Sequence, residues 1–384
     1  MSNHPTRDIA VLIPSFQPDG QLTPYVEQLV QADFAQIVIV DDGSGAAYDA
    51  VFDTLDALDG VTVLRYEPNC GKGYALRLGM RYIEDNDQDC AFVITADSDG
   101  QHTVADILAM ADTLRQDSAG LLLGTRDFTA ADVPRRSRAG NQITSKVFQV
   151  LYGQKVTDTQ TGLRGFSRAM IHRLLEVKGD RYDYEMNQLI LCAIDGISIR
   201  SLPIQTVYEN NNEGSHFRTV VDSWRIYRAI FSRFARFVAS SAVCFLVDYG
   251  VYLLINYLLK TYVPVLDQSM RIFVLRFMAR IAIATVAARA VSATINFIIN
   301  QKMVFQSQVR TGKAFLRYAC TVVLIVALSA GIVSTLHIGL GLSETITKIP
   351  VDIVLFCLSY FLQRKWVFGG GAKPHGQHKE KNHG

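Results

Sequence analysis

No two cysteines in this chain form a C-x-x-C pair; Cys70, Cys90, Cys192, Cys244, Cys320 and Cys357 are scattered along it. That absence disfavours a zinc site and a disulfide framework, and predicts free thiols in a reducing compartment. An excess of one charge is also missing. The 38 Lys and Arg residues against 36 Asp and Glu leave a net charge of +2, so the global charge argues for no nucleic-acid partner. A signal-peptide pattern is absent: the chain opens polar, with Arg7 and Asp8 before the first apolar run, which predicts a cytoplasmic first domain. A P-loop is absent too, because Gly71-Lys72-Gly73 lacks the rest of the G-x-x-x-x-G-K-[ST] pattern.

What the chain does have is length for two domains, 384 residues, and a hydrophobic content of 49% that is spread unevenly. The first part, to about residue 230, has the composition of an ordinary globular enzyme; long apolar runs follow it.

The first part alternates strand and helix patterns. Ile9 to Pro14, Ile37 to Val40, Val61 to Arg65 and Phe92 to Thr95 read as buried strands. Helical spacing marks Leu22 to Ala32 and Ala75 to Tyr82. This β-α-β rhythm predicts an α/β fold with a doubly wound, mainly parallel sheet, whose ligands bind outside the strand C-termini.

The polar motifs fall at those ends. Asp97 and Asp99 follow the strand at Phe92 to Thr95 and are spaced to project to one side, where two hard oxygen ligands suit Mg²⁺ or Mn²⁺ held with substrate phosphates. Asp41 and Asp42 close the second strand and Pro14 the first. Lys72 sits in a glycine-flanked loop entering a helix, where a lysine can meet a phosphate as a point charge. Each piece alone is also a good turn or helix start; several such clusters on one sheet edge point to a site.

Together, Val11-Leu12-Ile13-Pro14-Ser15, Val38-Ile39-Val40-Asp41-Asp42-Gly43-Ser44, Asn69-Cys70-Gly71-Lys72-Gly73 and Ala96-Asp97-Ser98-Asp99-Gly100-Gln101-His102 resemble family 2 glycosyltransferases of the GT-A (Rossmann-like) fold. The closer likeness is to the dolichol-phosphate mannose synthase and polyprenyl-phosphate glycosyltransferase branch, whose acceptor-side motif Val156 to Phe166 is similar to. The resemblance implies that Pro14 and Asp42, with Asp41 nearby, hold the base and ribose of a nucleotide sugar. It implies that Lys72 and Asp97 help bind that donor, and that Asp97, Asp99 and Gln101 hold the divalent cation. Arg135, Arg136 and Arg138 would meet phosphates of donor or lipid acceptor, and Asp158 and Arg164 would line the reaction centre. Asp99, Asp158, Arg164 and Arg138 are the catalytic candidates. Ser15-Phe16-Gln17-Pro18 departs from the family's usual Tyr-Asn-Glu, leaving Gln17 as a weak substitute for the glutamate. In the polar stretch from Asn210 to Arg218, Ser215 and Arg218 are further lipid-phosphate candidates. Glu185 reads equally as a family acidic position or as a carboxylate favoured by a helix N-terminus. His102 reads as a loop histidine beside the metal rather than a ligand.

Beyond Val220 the reading is of a membrane domain. Trp224, Tyr227, Ile230, Phe231 and Phe234 interleave with Arg225, Arg228, Arg233 and Arg236, which predicts an interfacial amphipathic helix over 219–236. Four spans are expected, near 237–259, 274–299, 315–338 and 346–367, each close to the roughly 20 residues that cross a bilayer. Arg280 and Arg289 lie inside the second, with Asp248 and Asp352 as candidate partners. Basic residues at Arg225 to Arg236, Lys302 to Arg317 and Arg364-Lys365 place both termini and the catalytic part in the cytoplasm. Residues 237–368 resemble the GtrA-like four-helix membrane domain, through Phe234 to Ala239, Asn296 to Lys302 and Lys365 to Phe368. The Gly-, His- and Lys-rich tail, 369–384, is expected to be disordered.

The expected organisation is therefore a transferase domain over 1–218, the interfacial helix, and the membrane domain. The expected activity is inverting, metal-dependent transfer of a hexose from GDP-mannose or UDP-glucose to polyprenyl or dolichyl phosphate at the cytoplasmic face. Two alternatives stand beside it: a processive polysaccharide synthase, whose Gln-x-x-Arg-Trp motif is not matched by Gln363-Arg364-Lys365-Trp366, and a non-enzymatic translocation or scaffolding protein with a degenerate transferase domain.

Overall fold

The structure is a computed structural model describing residues 6–87, 89–127, 135–205, 219–267, 269–272, 275–307, 309–341 and 343–369. The chain divides into two compact units, Met1–Ile230 and Phe231–Gly384.

The first unit is built in chain order from β1 (Ile9–Ser15), α1 (Leu22–Gln31), β2 (Gln36–Asp42), α2 (Asp49–Asp56), β3 (Val61–Tyr66), α3 (Lys72–Asn86), β4 (Phe92–Thr95), α4 (Val104–Gln116), β5 (Leu121–Thr125), α5 (Arg135–Tyr152), β6 (Arg164–Ser167), α6 (Ile171–Leu175), α7 (Asp183–Asp195) and β7 (Ile199–Pro203). Its seven strands lie in the order β3-β2-β1-β4-β6-β5-β7. All neighbours run parallel except β6, which is antiparallel to both β4 and β5. The mainly parallel α/β sheet is thus present, with one reversed strand that the apolar pattern did not reveal.

Every residue from Ile9 to Ile13 is completely buried, because helices cover both faces of a parallel sheet and leave its strands no polar side. Val11 and Ile13 join a core with Tyr25, Val26 and Leu29 of α1, Phe52 and Leu55 of α2, and Ile107 and Met110 of α4. Alternation turns Leu12 to the other face, where α3 lies so close that a Cβ on Gly79 would meet the Leu12 side chain. Register aligns the strand ends: Ser15 pairs with Asp41, and Leu12 with Thr95. Pro14, Asp42 and Asp97 are thereby brought to one edge, where strand order reverses around β1.

The second unit contains the C-terminal part of α8 (Thr219–Tyr262), a hairpin of β8 (Ser269–Ile272) and β9 (Leu275–Met278), then α9 (Ala279–Ile299), α10 (Thr311–Leu340) and α11 (Glu344–Leu362). The expected interfacial segment and first span are one unbroken helix, α8. The second span starts at Ala279, after the hairpin. Among the described residues α8, α9 and α10 are long and apolar enough to cross a membrane; α11 occupies the position of the expected fourth span. One turn of π-helix follows α9 at Asn300–Val304 and another follows α11 at Gln363–Val367.

Candidate active site

Asp42, at the end of β2, organises the first half of the site through one carboxylate oxygen. Its Oδ1 accepts the backbone N–H groups of Cys70 and Gly71, both at 2.8 Å, and the Tyr66 hydroxyl at 2.7 Å. These bonds tie down the loop ahead of α3 and deliver Lys72 as the first residue of that helix. Gly71 takes φ +106°, and a Cβ there would strike the Asp180 carbonyl, so the loop and the approach to α7 both need glycine. Asp41 Oδ1 accepts the Ser44 N–H at 2.9 Å, and Ser44 Oγ accepts the Gln17 N–H at 2.8 Å. Gln17 is exposed in a left-handed conformation, φ 48°. Pro14 is buried within β1.

Lys72 then stands between two carboxylates. Its Nζ lies 2.6 Å from Asp97 Oδ1 and 2.9 Å from Glu185 Oε1, with the lysine 18% and the glutamate 7% exposed. The Tyr182 ring centroid is 5.9 Å from the same ammonium. Burial pulls the lysine pKa down, but the charges of Asp97 and Glu185 outweigh it and the net shift is upward. Burial likewise opposes ionisation of Asp97, yet Lys72 foremost, then His102, hold its carboxyl well below the usual range. His102 is buried, accepts the Asp97 N–H through Nδ1 at 3.1 Å, and has its pKa lowered chiefly by that burial. It orders the loop, as a neighbour of the metal candidates.

Asp99 faces the opposite situation. Burial first, and the Asp97 charge second, push its carboxyl up to about 6. Its Oδ1 accepts the Gln101 N–H at 3.1 Å. A half-buried carboxyl beside a second carboxylate, both at a strand end, is an oxygen donor set in need of positive charge. Among the described residues no three His, Cys, Asp or Glu side chains gather as a closed metal cage. Two carboxylates fit Mg²⁺ or Mn²⁺, which keep coordination positions for phosphate oxygens and water. A Cβ at Gly162 would run into the Asp97 carboxylate, so the loop ahead of β6 needs glycine there, close against Asp97.

Asp158 is completely buried and its carboxylate is engaged by Arg126, Nε at 2.8 Å and Nη2 at 3.1 Å. Arg126 follows the end of β5 and is 23% exposed; its charge also lowers the pKa values of Asp97 and His102. Arg164, the first residue of the reversed strand β6, is 1% exposed. It donates to the Thr161 carbonyl at 3.0 Å, the Glu185 carbonyl at 2.7 Å and Gln188 Oε1 at 2.8 Å. Asp158 and Arg164 therefore sit behind the surface, one holding Arg126 and the other the start of α7. Arg126 and the position of Glu185 are the residues sequence reasoning missed or left open. Arg126 carried a usable signal: it obeys the same strand-end rule as Asp97. Arg138 is half-buried on the first turn of α5. Arg135 and Arg136 open that helix, with side chains outside the described residues, and Ser215 and Arg218 lie outside them altogether.

A mainly parallel α/β domain with acidic and basic groups at its strand ends is followed, among the described residues, by helices long and apolar enough to cross a membrane. Comparison with known proteins gives the particular families. Residues 10–175 match the glycosyl transferase family 2 model and residues 236–368 the GtrA/DPMS transmembrane domain model. The chain thus joins a family 2 glycosyl transferase domain to a GtrA/DPMS transmembrane domain. It is 28% identical over 217 residues, 52% of its length, to 86% of a UDP-N-acetylglucosamine–dolichyl-phosphate N-acetylglucosaminyltransferase from Methanococcus voltae. A dolichyl-phosphate hexose transferase from Haloferax volcanii is 27% identical over 176 residues, covering 40% of this chain and 76% of that one. Among solved structures, glucosyl-3-phosphoglycerate synthase from Mycobacterium tuberculosis, with Mn²⁺, uridine diphosphate and phosphoglyceric acid, aligns at 15% identity and TM-score 0.42 over 59% of this chain and 78% of that one.

Proposed function

We propose that the protein transfers a hexose from a nucleotide sugar to polyprenyl or dolichyl phosphate, with inversion and with Mg²⁺ or Mn²⁺. The observation carrying this is the Asp97–Lys72–Glu185 cluster beside Asp99, at the strand edge where an α/β sheet binds ligands. Asp97 and Asp99, with Gln101, would hold the cation, which when bound neutralises charge building on the leaving nucleoside diphosphate. Lys72, at the positive N-terminus of α3, faces the same diphosphate as a fixed cation. Asp41, Asp42 and Pro14 border the nucleoside side, Asp42 by shaping the loop that presents Lys72.

The acceptor needs no strong protein base. A lipid monophosphate carries about −1.5 to −2 charge at neutral pH, by analogy with phosphorylated side chains, and its oxygen attacks the sugar C1 directly. Arginine binds such a phosphate bidentately; Arg138, with Arg135 and Arg136, Ser215 and Arg218, is assigned to it. Asp158 and Arg164 act by positioning, through Arg126 and α7. The membrane unit anchors the enzyme where its lipid acceptor resides, with the catalytic unit and both termini cytoplasmic, as the basic loops favour. The names of the Methanococcus and Haloferax relatives support dolichyl-type phosphate as acceptor, and the first of them adds UDP-N-acetylglucosamine to the donors for assay. Purified protein incubated with Mg²⁺, radiolabelled GDP-mannose, UDP-glucose or UDP-N-acetylglucosamine, and undecaprenyl or dolichyl phosphate tests the reading. Label in the organic phase, as a β-linked product from an α-linked donor, is expected from one donor; absence of lipid-linked label from all donors contradicts it.

A further inference from the structure

The Asp97 carboxylate is enclosed on several sides. Lys72 Nζ lies 2.6 Å from its Oδ1, and His102 Nε2 stands 3.9 Å from its Oδ2. A Cβ on Gly162 would strike both oxygens, so the loop ahead of β6 presses on the carboxylate as well. Asp97 keeps 31% exposure, and a divalent cation bound there competes with the ammonium for the same group. Two positive charges on one carboxylate repel each other. Lys72 therefore has to give ground where Asp97 serves a cation.

Glu185 is where the lysine can go. It lies in the first turn of α7, with its carboxylate 2.9 Å from Lys72 Nζ and 7% exposed. Among the described residues, Lys72 is the one cation paired with it. Two features hold this carboxylate still. Arg164 Nη1 donates to the Glu185 carbonyl at 2.7 Å, and α3 and α7 pack so closely that a Cβ on Gly73 would meet the Tyr184 side chain. Loss of its one counter-ion would leave a buried charge uncompensated, so Glu185 retains the ammonium. Nor does Glu185 join Asp97 and Asp99 as a third ligand, since no such cluster of three forms among the described residues. Lys72 stands between it and Asp97.

We infer that Lys72 serves Asp97 as counter-ion until a divalent cation binds, and that Glu185 is the positioning residue that then holds the ammonium alone. The inference rests on the proposed cation site at Asp97 and Asp99. Glu185 eases the displacement of Lys72 from Asp97 and thereby sets cation affinity without touching the cation. It also keeps the ammonium at the N-terminus of α3, facing the place assigned to the diphosphate.

The test measures Mn²⁺ affinity of the full chain in detergent by electron paramagnetic resonance, with the metal alone as probe and a thermal melt of each variant as the check on folding. Lys72→Met tightens Mn²⁺ binding about ten-fold, because the competitor is gone, and Glu185→Gln weakens it about ten-fold, the scale of coupling between neighbouring charges. In the Lys72→Met background, Glu185→Gln changes the affinity by at most about three-fold. That loss of effect marks a residue acting through the lysine. A carboxylate that merely adds negative charge to the site weakens binding equally in both backgrounds, and that result overturns the inference. So does an affinity unchanged by Lys72→Met. Lys72→Gln, which keeps a hydrogen-bonding head without the charge, carries the same predictions where the methionine variant does not fold. Failure of both wild type and Lys72→Met to bind Mn²⁺ overturns the cation site and this inference with it, whereas the first two results spare the site.

Discussion

The two units of this protein solve opposite solvation problems. In the first, apolar strands such as Ile9 to Ile13 are sealed at 0% exposure, and charged groups gather at the sheet edge. In the second, the apolar residues point outward, with Leu246 at 67%, Val286 at 69% and Val323 at 69% exposure, while Asn300 and Gln363 are buried in amide hydrogen bonds. Water drives the first arrangement. In the second, a lipid surface accepts the outward side chains, and polar groups find partners within the bundle. Ion pairs follow the same division. Lys72 is locked between Asp97 and Glu185 beside the site, whereas Arg289 meets Asp248 at 3.2 Å on a helix of the membrane unit.

The largest effect expected is on the buried cluster. Lys72→Met leaves two carboxylates facing each other, and transfer should fall by at least about a hundredfold. The same change should destabilise the first unit by about 2–4 kcal/mol, less than for a fully buried pair because Asp97 is 31% exposed. A thermal melt of the full chain reads this as a fall of several degrees; an unshifted melt would show that the cluster does not hold the fold. Asn300→Leu is the counterpart in the other unit. It removes one side of a buried network and should cost about 1–2 kcal/mol, read as weaker resistance to denaturing detergent. A cost equal to that of Lys72→Met would erase the contrast between the units.

The pH dependence of Asp99 gives a finer test. Its carboxyl is pushed up to about 6, so between the unperturbed value of about 4 and that point the folded chain holds a proton the unfolded chain has lost. Stability from this group therefore falls as pH rises through that window, and Asp99→Asn should flatten the slope. Metal affinity runs the other way, since protonation competes with the cation: Mn²⁺ binding, followed by electron paramagnetic resonance, should weaken as pH drops through about 6. Affinity that stays constant from pH 5 to 7 would remove Asp99 from the ligand set. Smallest of all, Arg7→Gln breaks an exposed pair with Asp33 and should change stability by under about 0.5 kcal/mol.

Local patterns made much of the fold legible. The strands at Ile9, Ile37, Val61 and Phe92 and the helix after Lys72 announce themselves through short apolar runs and glycine-flanked turns. Neither β6 nor its direction was legible: Arg164–Ser167 carries a single large apolar residue, Phe166, and a buried strand reads the same whichever way it runs. Nor was the partner of Glu185, which is set by α3 and α7 packing together far apart in sequence: a Cβ on Gly73 would meet Tyr184. In the membrane half, hydropathy located the apolar segments and charge suggested the Arg289–Asp248 pair. It offered Asp352 as a partner for Arg280 or Arg289, whereas Lys348, one turn earlier on the same helix, takes it. Arg280 donates to Asn256, a neutral residue that a search for opposite charges passes over. The continuity of α8 through residue 236 was equally hidden, because an amphipathic pattern followed by an apolar one says nothing of a break between them.

Metal-dependent transfer at the Asp97–Asp99 edge is the central claim, and one measurement reaches it directly. Wild type and Asp99→Ala, matched for membrane insertion, are assayed for label passing from nucleotide sugar to polyprenyl phosphate across a Mn²⁺ titration after chelation. The account predicts that wild-type transfer disappears with chelator and returns with Mn²⁺, while Asp99→Ala stays at background throughout. Full transfer by Asp99→Ala, or by chelated wild type, would contradict it.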